Sequence, residues 1–266
     1  MRRLSVAHLT ALQLPPPALI EAAAAAGFDA VGLRLIAVTP TTPGYPLMHD
    51  ARMLRETKAT LASTGLAVDD IEFVKITPDI DLDALEPVLD AGAELCARHI
   101  ITAPYDDDLS RLSDRLAAIQ AAARSRGLTA VLEFFPWTAV PDLATCRSVV
   151  EAADPDIGIL VDSLHFNRSG SSLDDLATIP MTRLPFAHLC DAPVAPPYSR
   201  DELLRTARED RLFPGEGDIP LKDLLAALPA DIPLGLEVPV SRSRMIADPV
   251  KTLTRLREAT LALLNR

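Results

Sequence analysis

Four side chains with the donor atoms of a metal site stand at or near the ends of short apolar runs: Glu133, Asp162, His188 and Glu237. Such continuous runs are typical of buried parallel strands, where a charged end residue needs a specific partner. Three carboxylates and one imidazole suit one divalent cation, Mn²⁺, Mg²⁺ or Co²⁺ first, with Zn²⁺ also able to bind. Crowded together without a cation, the carboxylates would repel one another and raise their own pKa values. The pattern therefore predicts one bound divalent metal ion.

The elements that would position these four residues recur along the whole chain. Strand-like apolar runs alternate with Ala- and Leu-rich helical stretches, and eight such pairs can be counted. This predicts an α/β fold, a (β/α)8 TIM barrel, with residues 1–266 forming a single domain. The candidate ligands would then lie on strands five to eight, whose C-terminal ends converge on the mouth of such a barrel. The first strand is predicted over Leu4–His8, and the helix after strand six depends only on 173–178.

Two connections at the C-terminal ends of strands are longer than usual and are candidate lids. The first runs from Ile36 to Leu47 and includes Pro40; the second runs from Ala192 to Pro220. Long loops at this face of a barrel often carry substrate contacts. We therefore expect both loops to contribute to the entrance of the site.

The composition limits the kinds of molecule that we expect the protein to bind. Lys and Arg total 26 against 37 Asp and Glu, so the net charge is −11, which disfavours nucleic acid as a partner. The three cysteines are odd in number and far apart, which fits a reducing, cytoplasmic location. No segment is long and apolar enough to predict a membrane span. The expected partner is a small carbohydrate or keto acid, and the sequence is compatible with a homo-oligomer.

Several motifs together resemble the xylose-isomerase-like TIM-barrel superfamily of sugar isomerases, epimerases and related lyases. The motifs are Leu132-Glu133, the Asp-x-x-His piece Asp162-Ser163-Leu164-His165, Ala187-His188-Leu189-Cys190-Asp191, Arg211 followed by Pro214-Gly215-Glu216-Gly217-Asp218, and Leu236-Glu237. The likeness spans nearly the whole chain. It is specific for the superfamily and not for one substrate.

The resemblance implies roles for individual residues. In ketose 3-epimerases of this group, one divalent metal is held by residues that correspond to the four candidate ligands. Glu133 and Glu237 would also transfer protons, while His165 would bind the substrate and Arg211 would contact a substrate oxygen. The implied reaction is isomerisation or epimerisation of a small keto sugar or sugar acid through a metal-stabilised enediolate.

Four further residues are candidate substrate contacts, each with a structural alternative. His8 closes the first predicted strand, where it would face the mouth or serve the structure. Arg34 stands where many superfamily members have an acidic residue, and it would bind a substrate carboxylate or phosphate or pair with a nearby carboxylate. Glu216 would contact substrate or form a loop salt bridge. Asp191 would orient a ligand, bind the substrate or cap a loop.

Other functions remain open on the sequence. The segment from His188 to Pro193, followed by Arg211-Leu-Phe-Pro-Gly, also looks like metal-dependent 3-dehydroshikimate dehydratases, so a lyase is the main alternative. A nuclease resembling endonuclease IV would need more histidines than the five present and less negative charge. A sugar-binding barrel without catalysis is the remaining reading.

Overall fold

Mostly short, buried runs form the strands of a closed parallel barrel in this computed structural model, which describes residues 2–39, 41–239 and 248–265. The strands neighbour one another in chain order, and β8 pairs with β1. They are β1 (Leu4–Val6), β2 (Ala30–Arg34), β3 (Ala67–Ile76), β4 (His99–Pro104), β5 (Thr129–Glu133), β6 (Gly158–Asp162), β7 (Ala187–Leu189) and β8 (Leu234–Leu236). The predicted (β/α)8 barrel is confirmed. Pro40 of the first long loop lies outside the described residues.

Helices connect the strands and pack on the outside of the barrel. They are α1 (Pro16–Ala25), α2 (Ala51–Thr64), α3 (Glu86–Glu94), α4 (Leu109–Arg124), α5 (Leu143–Ala153), α6 (Ser163–Ser169), α7 (Leu173–Ala177), α8 (Arg200–Glu209), α9 (Leu221–Ala227) and α10 (Pro249–Leu264). Aspartate side chains cap the N-termini of several helices: Asp50 accepts from two backbone N–H groups of α2, and Asp108 does so for α4. Local capping therefore fixes where the connections turn into helices.

Three elements differ from the sequence-based prediction. The predicted strand Leu4–His8 ends at Val6, and His8 opens a short 3₁₀ helix instead of closing the strand. Two helices, α6 and α7, follow β6 where one was predicted. The second long loop contains α8, whose start is fixed by a capping box between Ser199 and Glu202. The loop is therefore partly a helix that reaches the mouth of the barrel.

The apolar core lies between the barrel and its surrounding helices. Leu19 and Ile20 of α1 and Leu112 and Leu116 of α4 have no exposed surface. Burial of this kind holds the strands in a fixed register, which in turn fixes the positions of the residues at their ends. None of the helices in the described ranges combines the length and apolar character that a bilayer span requires.

Candidate metal centre and active site

The four candidate ligands come together at the C-terminal ends of adjacent strands. Glu133 ends β5, Asp162 ends β6, His188 is the middle residue of β7, and Glu237 directly follows β8. The strand register places Asp162 beside His188. One donor atom from each of the four residues lies within 4.8 Å of the other three, and all four residues are buried. The barrel thus assembles the group that the spacing in the sequence suggested.

The donor atoms of this group fit a divalent cation. Both ring nitrogens of His188 and Oε1 of Glu133 are buried and have no hydrogen-bond partner. Unpaired buried polar atoms are costly, and a cation could satisfy Oε1 of Glu133 and one of the two ring nitrogens of His188. Three carboxylates and an imidazole also match the preferences of Mg²⁺, Mn²⁺, Co²⁺ and Zn²⁺. The residues present therefore suit one divalent ion, and they do not select a particular one.

A glycine in the neighbouring strand makes room for the His188 ring. A Cβ atom built on Gly235 would lie 2.7 Å from Cδ2 and 3.0 Å from Nε2 of His188. The register pairs these two residues directly across β7 and β8. Any larger residue at position 235 would have to displace the imidazole. The absence of a side chain there therefore permits the observed position of His188.

Arg211 supplies positive charge beside the ligand group. Its Nη1 lies 2.6 Å from Oδ2 of Asp162, and its Nη2 lies 2.8 Å from Oε2 of Glu237. Its Nε donates to the backbone oxygen of Ala207 in α8. The guanidinium is fully buried, so these are charge-assisted bonds in a dry environment. The resemblance predicted a substrate contact for Arg211; the structure shows it bound to two of the candidate ligands, at the edge of the cavity.

Burial and charge shift the pKa values of the site in opposite directions. Burial, with the charges of Glu237 and Asp162, raises the pKa of Glu133 well above its usual range. Burial would also raise the pKa of Asp162, but Arg211 and the two nearby histidines outweigh it and hold that pKa at about 2. Burial lowers the pKa of His165 to about 4. Near neutral pH the metal-free site therefore contains an ionised Asp162, a neutral His165 and a Glu133 that retains a proton readily.

A cavity of about 400 Å³ opens above the ligand group. Glu133, Glu237, His165, Arg211 and Arg34 all line it. Nε2 of His165 lies 3.7 Å from Oε1 of Glu133, and Nδ1 of His165 is buried without a hydrogen-bond partner. His165 follows the end of β6, and its backbone N–H donates to Asp162. It is therefore held beside the ligands with one ring nitrogen free to bind a substrate.

Sequence reasoning did not single out the aromatic residues of this cavity. Phe73, Tyr105, Phe135 and Trp137 line it on the side of β3, β4 and β5. Each lies near or just beyond the C-terminal end of its strand, and this position was the signal that could have found them. Residues 207–209 of α8 and Thr39, Thr41 and Thr42 of the first long loop also line the cavity. Both predicted lid loops therefore reach the site.

Arg34 pairs with a buried carboxylate and also lies in the wall of the cavity. It lines the cavity, and its Nη2 lies 3.3 Å from Oε2 of the buried Glu72 on β3. Its Nε is buried and has no hydrogen-bond partner. Burial raises the pKa of Glu72, and the Arg34 charge opposes this. The guanidinium thus has a donor left for a substrate anion even though one carboxylate already pairs with it.

The structure places two other candidate substrate contacts away from the cavity lining. His8 is fully buried: its Nδ1 accepts the backbone N–H of Arg34, and its Nε2 bonds to the backbone oxygen of Leu14. Both ring nitrogens are thus used, and its ring stacks on Tyr45. Glu216 is exposed and lies 4.0 Å from Arg255. These positions agree with the structural alternative for each residue: His8 supports the fold, and Glu216 forms a salt bridge from its loop.

The contacts of Asp191 also agree with its structural alternative, in which it caps a loop. Its carboxylate accepts the backbone N–H groups of Ala192, Gly215 and Ile219. These bonds join the end of β7 to the segment that follows Arg211. Asp191 therefore organises the loop that carries Arg211.

Two curated relatives and one solved structure are similar to this chain. A 3-dehydroshikimate dehydratase of Pseudomonas putida is 26% identical over 269 residues, which cover 92% of this chain and 40% of the dehydratase. An inosose isomerase of Halalkalibacterium halodurans is 29% identical over 116 residues, which cover 42% of this chain and 39% of the isomerase. The chain thus spans about two fifths of the length of the curated relatives that it matches.

The solved structure is that of the IOLI protein with a bound zinc atom. It superposes with a TM-score of 0.82 at 17% identity, covering 99% of this chain and 98% of that chain. At this identity the likeness shows a shared fold. The family model described as the xylose isomerase-like TIM barrel matches residues 20–259, which are most of the chain. The chain belongs to the xylose isomerase-like TIM barrel family.

Proposed function

We propose that this protein is a divalent-metal-dependent isomerase or epimerase of a small keto sugar or sugar acid, acting by proton transfer next to a ketone. The observation that carries the proposal is the group of four ligands with donor atoms within 4.8 Å, directly beneath a cavity. Two of the four, Glu133 and Glu237, line that cavity. Both curated relatives are named as enzymes of small molecules, an isomerase and a dehydratase.

When bound, a divalent cation would supply Lewis acidity to a substrate carbonyl. The protein's own residues would move the proton. One glutamate takes the proton from the carbon beside the ketone, and the other can return a proton to that carbon or its neighbour. The neutral His165 would orient a substrate hydroxyl through its unpaired Nδ1.

The test is proton exchange in deuterated water with the metal-loaded protein. An isomerase or epimerase should place deuterium on the carbon beside the ketone in both product and recovered substrate. Glu133→Gln and Glu237→Gln should each reduce exchange by at least a hundredfold, since each removes one proton carrier. His165→Ala should retain metal binding and lose turnover. Absence of exchange with any hydroxyketone, at full metal occupancy, would reject the proposal.

The second candidate is a lyase that expels a β-hydroxyl group as water. It is favoured by the dehydratase similarity over 92% of the chain and by Arg34, a cationic side chain that lines the cavity, where a substrate carboxylate could bind. Both candidates begin with the same proton abstraction, so the product separates them. Dehydration would give an unsaturated product with new ultraviolet absorbance, whereas isomerisation would be reversible without loss of water.

Arg34 provides the matching test of substrate charge. Arg34→Lys should raise KM for a carboxylate substrate much more than for a neutral ketone, because Lys lacks the planar fork of donors.

We also propose a cytoplasmic location, which is supported by free Cys96, Cys146 and Cys190.

A further inference from the structure

A buried ion pair between Arg34 and Glu72 adjoins the active-site cavity. The strand register places Arg34 of β2 opposite Glu72 of β3. Nη2 of Arg34 lies 3.3 Å from Oε2 of Glu72, and the two side chains are only 6% and 1% exposed. Of these two residues, Arg34 lines the cavity and Glu72 does not. The guanidinium group of Arg34 is therefore available to a ligand in the cavity while it is paired with a carboxylate that the ligand does not reach.

The backbone around Arg34 is held in place by neighbouring residues. The N–H of Arg34 donates to Nδ1 of His8, and the backbone oxygen of Arg34 accepts the N–H of Tyr45. The N–H of Leu35 donates to the backbone oxygen of Glu72. Both side chains of the ion pair therefore start from fixed points on adjacent strands, so the pairing is a property of the folded barrel.

The ion pair leaves hydrogen-bonding capacity unused on both partners. Nε of Arg34 and Oε1 of Glu72 are buried and have no hydrogen-bond partner. An arginine holds a carboxylate most strongly through two parallel N–H bonds, and Nε takes no part in such a pairing here. An anion in the cavity would therefore find a donor on Arg34, but it would also be repelled by the nearby charge of Glu72.

From this geometry we propose that Glu72 is a positioning residue that sets the affinity of Arg34 for a substrate anion, and thereby the preference of the enzyme between anionic and neutral hydroxyketones. The inference rests on the proposed function. Removing one partner of a buried ion pair leaves the other charge uncompensated. An uncompensated guanidinium attracts an anion more strongly than a paired one. Glu72 thus restrains anion binding, and Arg34 makes the contact.

Asp70 provides a matched control on the same strand. It is as deeply buried as Glu72, and its Oδ1 also lacks a hydrogen-bond partner. The register places Asp70 opposite Gly32, whereas Glu72 lies opposite Arg34. Within the described residues, the ion pair of Arg34 is with Glu72 and not with Asp70. A variant at position 70 therefore shows what the loss of a buried carboxylate does when the ion pair stays intact.

The test is isothermal titration of the Mg²⁺-loaded protein with two small hydroxyketones, the anionic hydroxypyruvate and the neutral dihydroxyacetone. Glu72→Gln should bind hydroxypyruvate about tenfold or more tightly than the wild type does, with the affinity for dihydroxyacetone changed by less than about threefold. Asp70→Asn should leave both affinities within about threefold of the wild type. Comparing variants with the same compound cancels the direct attraction of the carboxylate for the metal ion. An unchanged affinity for hydroxypyruvate in Glu72→Gln, or an equal gain in Asp70→Asn, would overturn the inference.

Two further variants test whether Glu72 acts through Arg34. Glu72→Met, which is uncharged and similar in length, should give the same gain as Glu72→Gln. In the background of Arg34→Gln, the substitution Glu72→Gln should produce no gain, because the residue that contacts the anion is gone. A gain that persists without Arg34 contradicts the assigned role.

Deuterium exchange keeps this inference separate from the proposed function. If the metal-loaded wild type exchanges no hydroxyketone but Glu72→Gln gains affinity for hydroxypyruvate, the proposed reaction fails and the role of Glu72 stands. If exchange occurs and the affinity for hydroxypyruvate is the same in Glu72→Gln as in the wild type, the proposed function stands and the role of Glu72 is rejected.

Discussion

Arg211 offsets negative charge in the group of buried carboxylates, which would otherwise destabilise the fold. Asp162 and Glu237 each lie within 3 Å of one of its terminal nitrogens, so two of the three ligand carboxylates have a counter-charge inside the protein. Removing one member of such a buried pair leaves an uncompensated charge, which typically costs about 3–5 kcal/mol. Burial, followed by the charges of Glu237 and Asp162, raises the pKa of Glu133, and the Arg211 charge opposes this rise. Arg211 thus offsets part of the negative charge of the metal-free site.

Gly235 gives a prediction about metal affinity. Gly235→Ala should displace the His188 ring, because the new Cβ would lie 2.7 Å from Cδ2. Changes that misplace a ligand typically lower metal affinity about 10- to 100-fold. Isothermal titration with Mn²⁺ or Co²⁺ would measure this loss.

The matched control is Gly158→Ala on β6. Its Cβ would be equally crowded, 2.8 Å from Cγ of Pro185, but it would touch none of the four ligands. Both variants should lose stability, and only Gly235→Ala should lose metal affinity. If the two variants bind metal equally well, His188 is not a ligand or Gly235 does not set its position.

Buried histidines predict how stability depends on pH. Burial, together with the Arg34 charge, lowers the pKa of His8 to about 4, whereas the unfolded chain keeps a value near 6.5. The folded state therefore favours the neutral ring. Its contribution is fully present above pH 6.5 and is lost as the pH falls from 6.5 toward 4, by at most about 3 kcal/mol.

Urea unfolding of the chelator-treated protein at pH 7.5, 6 and 5 would test this decline. His99, whose pKa burial also lowers to about 4, adds to the slope. His8→Gln should lower stability at pH 7.5 and make the curve shallower. The exposed His49 serves as the control, because His49→Gln removes a histidine without removing a buried one. Equal slopes for both variants would argue against the role of His8.

At the scale of the secondary-structure elements, the long connection after β7 contains a helix that contributes to the site. Its helix α8 contributes residues 207–209 to the cavity, and the oxygen of Ala207 accepts Nε of Arg211. The position of α8 is therefore coupled to Arg211, which pairs with two of the candidate metal ligands. Its N-terminus depends on Ser199, which forms the capping box with Glu202.

Ser199→Ala should destabilise α8 by about 1 kcal/mol, because it removes the capping hydroxyl group. Hydrogen exchange measured by mass spectrometry should become faster in residues 200–209 and stay unchanged in α4 on the far side of the barrel. Ser199→Asp retains a capping oxygen and should preserve the protection. Uniform acceleration across the chain would instead indicate global destabilisation.

The sequence predicted the elements whose patterns are repeated and local. Buried apolar runs alternating with Ala- and Leu-rich helices predicted the barrel, and their strand ends predicted that the four candidate ligands would lie together. His8 was misplaced because strand propensity cannot show that its ring bonds to the backbone of Arg34 and Leu14. The aromatic residues of the cavity were missed because Phe73 lies in β3 whereas Tyr105, Phe135 and Trp137 follow β4 and β5, so their rings meet only after the barrel closes. The pairing of Arg211 with two ligands likewise depends on contacts far apart in sequence.

At the scale of the whole molecule, the four candidate ligands come from four of the eight strands of the barrel or from their ends. These residues come from β5, β6, β7 and the end of β8, and β8 closes the barrel by pairing with β1. Local unfolding of any of these strands would disassemble the site. A cation that binds only the assembled group should therefore stabilise the entire fold and not one segment.

We accordingly expect thermal stability to depend on a divalent cation. At a metal concentration 100 times Kd, binding should add about 2.7 kcal/mol, which corresponds to a rise in Tm of about 5–10 °C for a chain of this size. Differential scanning fluorimetry after chelation, followed by separate addition of Mg²⁺, Mn²⁺, Co²⁺ and Zn²⁺, would rank the ions. The variant His188→Ala should lose this dependence, because it removes a ligand while leaving Arg211 paired with Asp162 and Glu237. No shift in the wild type with any of the four ions, or an equal shift in His188→Ala, would reject the metal centre.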